Sequence, residues 1–194
     1  MLRANHSDLV ASSDLADAVE TLRAAEVDPD AERHRRTILD FVTSHDDVLH
    51  RSCLEGHLTG SALVVDAPGE HVLLLFHTKL QRWLQPGGHC DGDANLAAVA
   101  LREATEESGI EDLAVDPVAV DLDVHEVAPP TEGPHLHLDA RFLVVAPPGA
   151  QPQGNHESEA IRWVPRSALA DYDLDAGTIR MVRHGLARRG RLTA

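Results

Sequence analysis

The sequence predicts an α/β protein, and three observations support this. Apolar residues recur at helical spacing between residues 14 and 44, whereas from residue 57 short apolar runs and alternating patterns are typical of strands. Between these strand patterns, residues 95–108 are rich in alanine, leucine and glutamate, as expected of a helix. At 194 residues, the chain is long enough to bury a sizeable core as one domain with extensions.

Residues 1–50 are predicted to form a helical extension. The first helix follows Ser12 and Ser13, which are candidate caps, and the pair Asp28-Pro29 predicts the start of a second helix ending near Ser44. This helix pair could pack on the core, support a homodimer or shape a wall of a substrate site, and packing is the favoured interpretation. The apolar positions of the first helix are Leu15, Ala18, Val19, Leu22 and Ala25.

Two apolar runs, 62–65 and 72–76, flank a turn that contains Pro68 and Gly69. We predict a hairpin of two buried strands here. Trp83 follows the second strand and has two interpretations: it could stack on a nucleobase, although a position in the core is favoured.

Residues 87–110 combine a glycine pair, an acidic loop and a helix dense in glutamate. Asn95 is a plausible N-cap, and Gly109 lies where a C-terminal glycine stop is expected. Glu103, Glu106 and Glu107 stand at i, i+3 and i+4, so their carboxylates share one helix face and repel one another.

A hard divalent cation with oxygen ligands would offset this repulsion. Arg102, four residues before Glu106, can neutralise only part of the acidic face. The alternative interpretation is a solvated acidic face without a ligand, which three glutamates considered alone would favour.

Two later segments alternate cleanly between apolar and polar residues. If the two strands pair, their polar sides form a single surface. The favoured interpretation is a solvent-exposed sheet face, and the alternative is substrate recognition in which Arg141 or a histidine such as His137 contacts phosphate. The polar positions are Asp121, Asp123 and His125 on one strand and His135, His137, Asp139 and Arg141 on the other.

Charge and cysteine usage restrict the function classes. The formal net charge of −15 argues against binding to a nucleic acid backbone and favours cationic partners such as divalent metals. Cys53 and Cys90 do not suggest a disulfide framework or a zinc site, so we expect a reducing, cytoplasmic setting. Residues 1–13 lack a secretory signal pattern, and no run reaches the ~18 apolar residues of a membrane span. The 13 histidines are scattered along the sequence rather than paired at ligand spacing.

The segment around the glutamates resembles the signature of the Nudix hydrolase family, and the resemblance extends over residues 58–169. One position departs from the pattern, because Ala94 stands where the first glutamate of the signature is expected, with Asp91 and Asp93 nearby. The matching residues are Gly88, Arg102, Glu103, Ala104, Glu106, Glu107, Gly109 and Ile110.

This resemblance implies a Nudix-type α/β/α sandwich with a mixed sheet. It divides the chain into the N-terminal helical extension 1–50, a Nudix domain 51–172 and a C-terminal helix 173–194. The arginines of this last helix make it basic, so we expect it to dock on the acidic body or on a partner chain, with anion binding as the less favoured use. It also implies Mg²⁺- or Mn²⁺-dependent hydrolysis of a phosphoanhydride bond in a small-molecule substrate, a nucleoside diphosphate linked to another moiety.

The resemblance also implies roles for individual residues. Glu106 and Glu107 would bind the metal, Glu103 would be a further ligand or a proton acceptor, and Arg102 would orient the glutamates. The carbonyl oxygen of Gly87 is an expected additional ligand, and Glu157 or Glu159 could supply another acid.

Two other functions remain open at this point. The substitution at Ala94 would suit a catalytically silent Nudix-fold domain that binds nucleotides or regulates another protein. The Gly88-His89 pair is similar to isopentenyl diphosphate isomerase, although that class needs a cysteine where Gly87 stands.

Overall fold

The computed structural model describes residues 1–129, 133–156 and 158–193. Within these ranges the chain forms helices α1 (Leu15–Ala24), α2 (Pro29–Val42), α3 (Leu96–Ser108) and α4 (Ala176–Thr193), with 3-10 helices at Ser7–Leu9 and Arg166–Asp171. The strands are β1 (Leu2–Arg3), β2 (Gly56–Val65), β3 (His71–His77), β4 (Arg82–Leu84), β5 (Gly87–His89), β6 (Ala114–Val127), β7 (His135–Val145) and β8 (Ser158–Pro165).

All the described strands belong to one mixed sheet, as predicted. Its main order is β1-β6-β7-β2-β3-β4, with β5 paired to β2 and β8 paired to β3. Strands β2 and β7 run parallel along the whole of β2, from Gly56↔Leu136 to Val65↔Val145, while the other pairs are antiparallel. The central strand β2 therefore brings residues near position 60 beside residues near position 140.

Helices cover both faces of this sheet, which gives the predicted α/β/α arrangement. Helices α1, α2 and α3 share one apolar core with the sheet, represented by Leu22, Ile38 and Leu96. Helix α4 contributes Met181 and Val182 to a second apolar cluster, which includes Leu63 and Leu143. Because α1 and α2 bury their apolar faces in the main core, the favoured packing role of the N-terminal helix pair is confirmed.

Most of the predicted helix boundaries coincide with capping interactions in the structure. The side chain of Asp28 accepts hydrogen bonds from the first turn of α2, and that of Asn95 accepts one from the first turn of α3. Gly109 ends α3 in the left-handed conformation, with φ of 65°. Helix α1 is capped by Asp14 rather than by Ser12 or Ser13, because the Asp14 carboxylate accepts the N–H of Ala16.

The predicted hairpin between β2 and β3 forms only at its turn. The two strands are paired at Val65↔Val72 and then separate. Beyond the turn, β2 bonds to β7 and β5, whereas β3 bonds to β8 and β4. Both strands are central to the sheet, which explains why their apolar runs are almost continuous.

The basic helix α4 docks on the acidic body of the protein, which is one of the two docking sites predicted for it. Arg188 pairs with Asp116 at 2.6 Å and with Glu26 at 2.7 Å, and Arg183 reaches the Asp28 cap of α2 at 2.8 Å. These ion pairs connect the C-terminal helix to both the sheet and the N-terminal extension.

Both Cys53 and Cys90 are buried free thiols. In the part of the chain that the structure describes, no helix has the length and apolar character needed to cross a membrane.

Candidate active site

The loop that contains the glycine pair is tied to the acidic helix by a hydrogen bond. The backbone N–H of Gly87 donates to Oε2 of Glu107 at 2.8 Å, so the buried end of α3 anchors strand β5. Gly87 also lies against β2, where a Cβ atom would come within 2.4 Å of the Ser61 hydroxyl oxygen. This contact requires glycine at position 87 whether or not its carbonyl oxygen binds a metal.

Glu103 occupies the space that a side chain at position 88 would take. A Cβ atom on Gly88 would lie 2.3 Å from Oε2 of Glu103, closer than any real contact allows. Because neighbouring residues of a strand face opposite ways, Gly88 faces α3 while Gly87 and His89 face the other side of the sheet. The absence of a side chain at Gly88 therefore lets a carboxylate reach the loop.

Arg102 links the acidic helix to the same loop. One guanidinium nitrogen donates to the carbonyl oxygen of His89 at 2.8 Å and to Oε1 of Glu103 at 2.7 Å. The arginine thus contacts Glu103 directly, an arrangement suited to orienting this carboxylate.

The three glutamates differ in exposure. Glu107 is buried, Glu103 is half-buried and Glu106 is exposed. All their donor atoms are carboxylate oxygens, which suit hard cations such as Mg²⁺ and Mn²⁺. By the chemistry of their donor atoms, these residues could hold a divalent cation on this face of α3.

The departure from the Nudix signature at Ala94 has a packing explanation. Ala94 is fully buried, and its N–H donates to the carbonyl oxygen of Ser12 in the N-terminal extension. The next residue, Asn95, donates to the carbonyl oxygens of Asp8 and Val10. A glutamate at position 94 would have to bury its carboxylate beneath this segment, which is costly without a partner.

The nearby acids of the loop have other partners. Asp91 forms a two-pronged ion pair with Arg51 at 2.9 and 3.0 Å, and its hydrogen bonds with Arg51 lower the pKa of Asp91. Asp93 accepts the N–H groups of Ser12 and Asn95. Both carboxylates therefore stabilise the loop, and Asp93 also stabilises its contact with the N-terminal extension.

Two acids from the C-terminal part of the chain, Glu157 and Glu159, are also predicted candidates for the metal site. Glu159 is exposed, and its Oε1 accepts a hydrogen bond from Gln81 at 2.7 Å. Glu157 lies outside the residues that the structure describes.

The polar sides of β6 and β7 meet as expected, but most of their side chains are buried and the others half-buried, so the favoured expectation of a solvent-exposed face is wrong. The register pairs Asp121 with Arg141 and Asp123 with Asp139. The Arg141 guanidinium is 3.2 Å from Asp121, 3.0 Å from Asp123 and 2.7 Å from Asp139. Arg180 of α4 covers the same carboxylates, at 2.8 Å from Asp121 and 2.7 Å from Asp123.

This ion network, formed by Asp121, Asp123, Asp139, Arg141 and Arg180, changes the role of Arg141. Its side chain is buried and surrounded by carboxylates, so we do not propose Arg141 as a phosphate contact. Burial alone would raise the pKa of Asp123, but hydrogen bonds with His125 and Arg180 and the charge of Arg141 hold it well below its usual range. Burial opposes the charged form of Arg141, yet the neighbouring aspartates raise its pKa.

Trp83 is partly buried in an aromatic cluster rather than free in a cleft. Its ring meets Phe76 and Tyr172 edge-on, with centroids 5.4 and 5.1 Å apart. The guanidinium of Arg162 lies 5.4 Å from the centroid of the same ring.

The prediction that the histidines are scattered is wrong for five of them. The structure brings together five of them, on β2, β5, β6 and β7. The pattern that could have revealed this group is the alternation of histidines on two strands that pair. Burial, together with the neighbouring histidines, lowers the pKa of His137 far below its usual value. The residues are His57, His89, His125, His135 and His137.

The fold and this site define a class of protein: an α/β sandwich in which a glycine loop leads from a central sheet into a helix with carboxylates beside the loop. The sequence model of the NUDIX domain matches residues 57–184, which is more than half of the chain. The chain belongs to the Nudix family.

Solved structures support the same fold. A C. elegans Ap4A hydrolase superimposes with a TM-score of 0.58 at 19% sequence identity, covering 69% of this chain and 98% of that one. The MutT protein from Methanosarcina mazei Go1 has a TM-score of 0.54 at 20% identity, with 70% and 96% covered. RenU, a Nudix hydrolase from M. smegmatis, has a TM-score of 0.51 at 23% identity, with 71% and 88% covered. The comparison with curated proteins gave no match.

Proposed function

We propose that the protein is a Mg²⁺- or Mn²⁺-dependent hydrolase that cleaves a phosphoanhydride bond in a nucleoside diphosphate linked to another moiety. The observation that supports this most is the packing of the acidic face of α3 against Gly87 and Gly88. There the N–H of Gly87 reaches Glu107, and the missing side chain of Gly88 leaves room for Glu103.

In this proposal the three glutamates of α3 have different roles. Glu106 and Glu107 hold the divalent cation, with Glu103 as a further ligand or as the acceptor of the proton that the attacking water loses. Arg102 contacts Glu103 and the loop carbonyl of His89, so it positions the carboxylate rather than touching the substrate. The carbonyl oxygen of Gly87 stays a candidate ligand, as do Glu159 and Glu157.

The chemistry follows from the substrate class. Water attacks one phosphorus atom and the bridging phosphorus–oxygen bond breaks, so charge must be stabilised on the phosphoryl oxygens. A bound divalent cation supplies that stabilisation and lowers the pKa of water. The contribution of the chain is to hold its carboxylates together beside a fixed loop.

Trp83 stays a candidate for stacking on a base, since its ring is only partly buried. His137 lies on the sheet face opposite α3, so we do not propose it as a phosphate contact at the glutamates. The isomerase alternative gains no support, because the Ser61 contact leaves no space at position 87 for a cysteine side chain.

A substrate screen tests the proposal. The purified chain would be incubated with Mg²⁺ and panels of nucleotide sugars, dinucleotides and nucleoside triphosphates, with release of monophosphate or phosphate as the readout. We expect turnover in at least one panel and a loss on the order of 100-fold or more in the Glu107→Gln variant. The Glu111→Gln variant is the matched control, since Glu111 is an exposed glutamate just beyond the helix.

Two results would count against a hydrolase. The first is no turnover in any panel while nucleotides still bind tightly, which would favour the silent nucleotide-binding domain. The second is turnover that survives Glu107→Gln unchanged, which would place the chemistry elsewhere in the chain.

A further inference from the structure

Among the described residues, five histidines come together at one end of the central sheet. His57 is paired in register with His137, and His137 with His125. Ring centroids lie 4.8 Å apart for His57 and His89, 5.2 Å for His57 and His137, and 5.2 Å for His89 and His137. Imidazoles at this density are unusual for a packed core, because each ring brings two polar nitrogens that need partners.

Three of these rings are close enough to share one ligand. In His57, His89 and His137, one ring nitrogen from each lies within 4.8 Å of the other two. A tetrahedral zinc ion with bonds of about 2.0–2.1 Å holds its nitrogen ligands roughly 3.3 Å apart. Small rotations about the side-chain bonds would therefore bring the rings to coordination distance.

Backbone carbonyl oxygens contact the Nδ1 atoms of two histidines in this cluster. Nδ1 of His57 is 3.4 Å from the carbonyl oxygen of Cys53, so a proton on Nδ1 leaves the lone pair on Nε2. In the neighbouring His135, Nδ1 contacts the carbonyl oxygen of Gly133 at 3.0 Å. Within the described structure, the buried Nε2 of His135 has no hydrogen-bond partner, as expected beside a site for an ion and its water.

This cluster is separate from the glutamate site. His89 is paired opposite Thr59 on β2, and His57 stands two residues before Thr59, so both side chains emerge on the same face of the sheet. Gly88 faces the other way, toward Glu103. Strand β5 thus separates the histidines from the acidic face of α3.

We propose that His57, His89 and His137 form a binding site for a divalent transition metal ion such as Zn²⁺. Three imidazoles suit zinc and its neighbours in the first transition series, whereas Mg²⁺ and Mn²⁺ prefer the oxygen ligands of the glutamate site. The ligands come from β2, β5 and β7, so the ion cross-links three strands, including the one that presents Gly87 and Gly88. The site stabilises the sheet, and a solvent molecule completes the coordination.

Metal binding to the full-length protein tests this proposal. After chelator treatment, Zn²⁺ would be titrated and both stoichiometry and melting temperature measured. We expect one tightly bound equivalent and a rise in melting temperature. The double variant His89→Gln/His137→Gln should bind zinc at least about 100-fold more weakly, while His156→Gln, an exposed histidine outside the cluster, should behave as wild type.

A measurement on the wild-type chain keeps the test independent of how the variants fold. The zinc X-ray absorption spectrum of the loaded protein should show imidazole nitrogens at about 2.0–2.1 Å. A shell of oxygen ligands without imidazole, no binding at micromolar zinc, or a folded double variant that binds as tightly as wild type would each overturn the proposal. The variant Glu103→Gln/Glu107→Gln should keep its zinc, which separates this site from the proposed hydrolytic one.

Discussion

The N–H of Gly87 donates a hydrogen bond of 2.8 Å to the carboxylate of Glu107, which joins the glycine loop to the last turn of α3. Glu107 is only 5% exposed, so its end of this bond is largely shielded from water. The carboxylate therefore has a structural partner on one oxygen while its charge contributes to the acidic face. A glutamine can keep the hydrogen bond through its carbonyl oxygen but cannot keep the charge.

Glu107→Gln should weaken metal binding but change the stability of the metal-free protein little. Millimolar Mg²⁺ should raise the melting temperature of the wild-type protein, because the ion binds only the folded state. The variant should lose most of that rise while its melting temperature without Mg²⁺ changes little. Differential scanning fluorimetry across a Mg²⁺ series checks this, with Glu111→Gln as the control, and an equal rise in the variant would contradict the role assigned to Glu107.

Ala94→Glu restores the missing glutamate of the Nudix signature, yet we expect it to destabilise the protein. Position 94 is fully buried under the N-terminal extension, so a carboxylate there loses its hydration. The free energy of unfolding should fall by roughly 2–4 kcal/mol. Urea unfolding measures this, and the half-buried Ala98→Glu, at the start of the same helix, is the matched control because acids are favourable near a helix N-terminus. Unchanged stability in Ala94→Glu would refute the packing explanation.

Arg141→Met should be among the most damaging substitutions in the sheet. The change leaves Asp121, Asp123 and Asp139 buried with one fewer cation, and the loss of one partner from a buried ion network costs about 3–5 kcal/mol. Arg33→Met removes an exposed ion pair with Asp30 and should cost less than about 1 kcal/mol. Urea unfolding of the two variants should separate them clearly, and similar small losses would show that the ion network does not stabilise the fold.

Acid should weaken the turn between β2 and β3. Burial alone would raise the pKa of Asp66, but hydrogen bonds from the N–H groups of Glu70 and His71 and with the His71 ring lower it below 3.8. A lowered pKa adds stability that is complete above the unfolded value and is lost as the pH falls toward the folded value.

The Asp66→Asn variant should therefore lose less stability than wild type between about pH 5 and pH 2. At pH 7 it should be about 1–2 kcal/mol less stable than wild type, because the charged acceptor is gone. Unfolding free energies across that pH range check the difference, with the exposed Asp173→Asn as a control. Parallel pH curves for wild type and Asp66→Asn would contradict the assignment.

Local signals made the helices and the glutamate face predictable. Asp28 and Asn95 cap the helices that they precede, and Gly109 stops α3, because each acts on backbone groups within a few residues. The arrangement of Glu103 and Glu107 on one side of α3 follows from helical geometry alone.

Long-range pairing explains what could not be predicted. The alternation around Asp121 and Arg141 defines a polar side of each strand, but the docking of α4, with Arg180 on Asp121, helps to bury that side. The histidine cluster likewise depends on the parallel pairing of His57 with His137, two residues 80 positions apart in a register that no local pattern encodes. The hydrogen bond from Ala94 goes to Ser12, which belongs to a segment outside the Nudix signature.

The central claim is that the carboxylates of α3 hold a divalent cation beside the glycine loop. Its most direct test is a crystal structure of the protein grown with Mn²⁺, with anomalous scattering used to locate the ion. We predict an anomalous peak in contact with carboxylate oxygens of Glu103, Glu106 and Glu107. Crystals saturated with Mn²⁺ that show no peak at these glutamates would contradict the account.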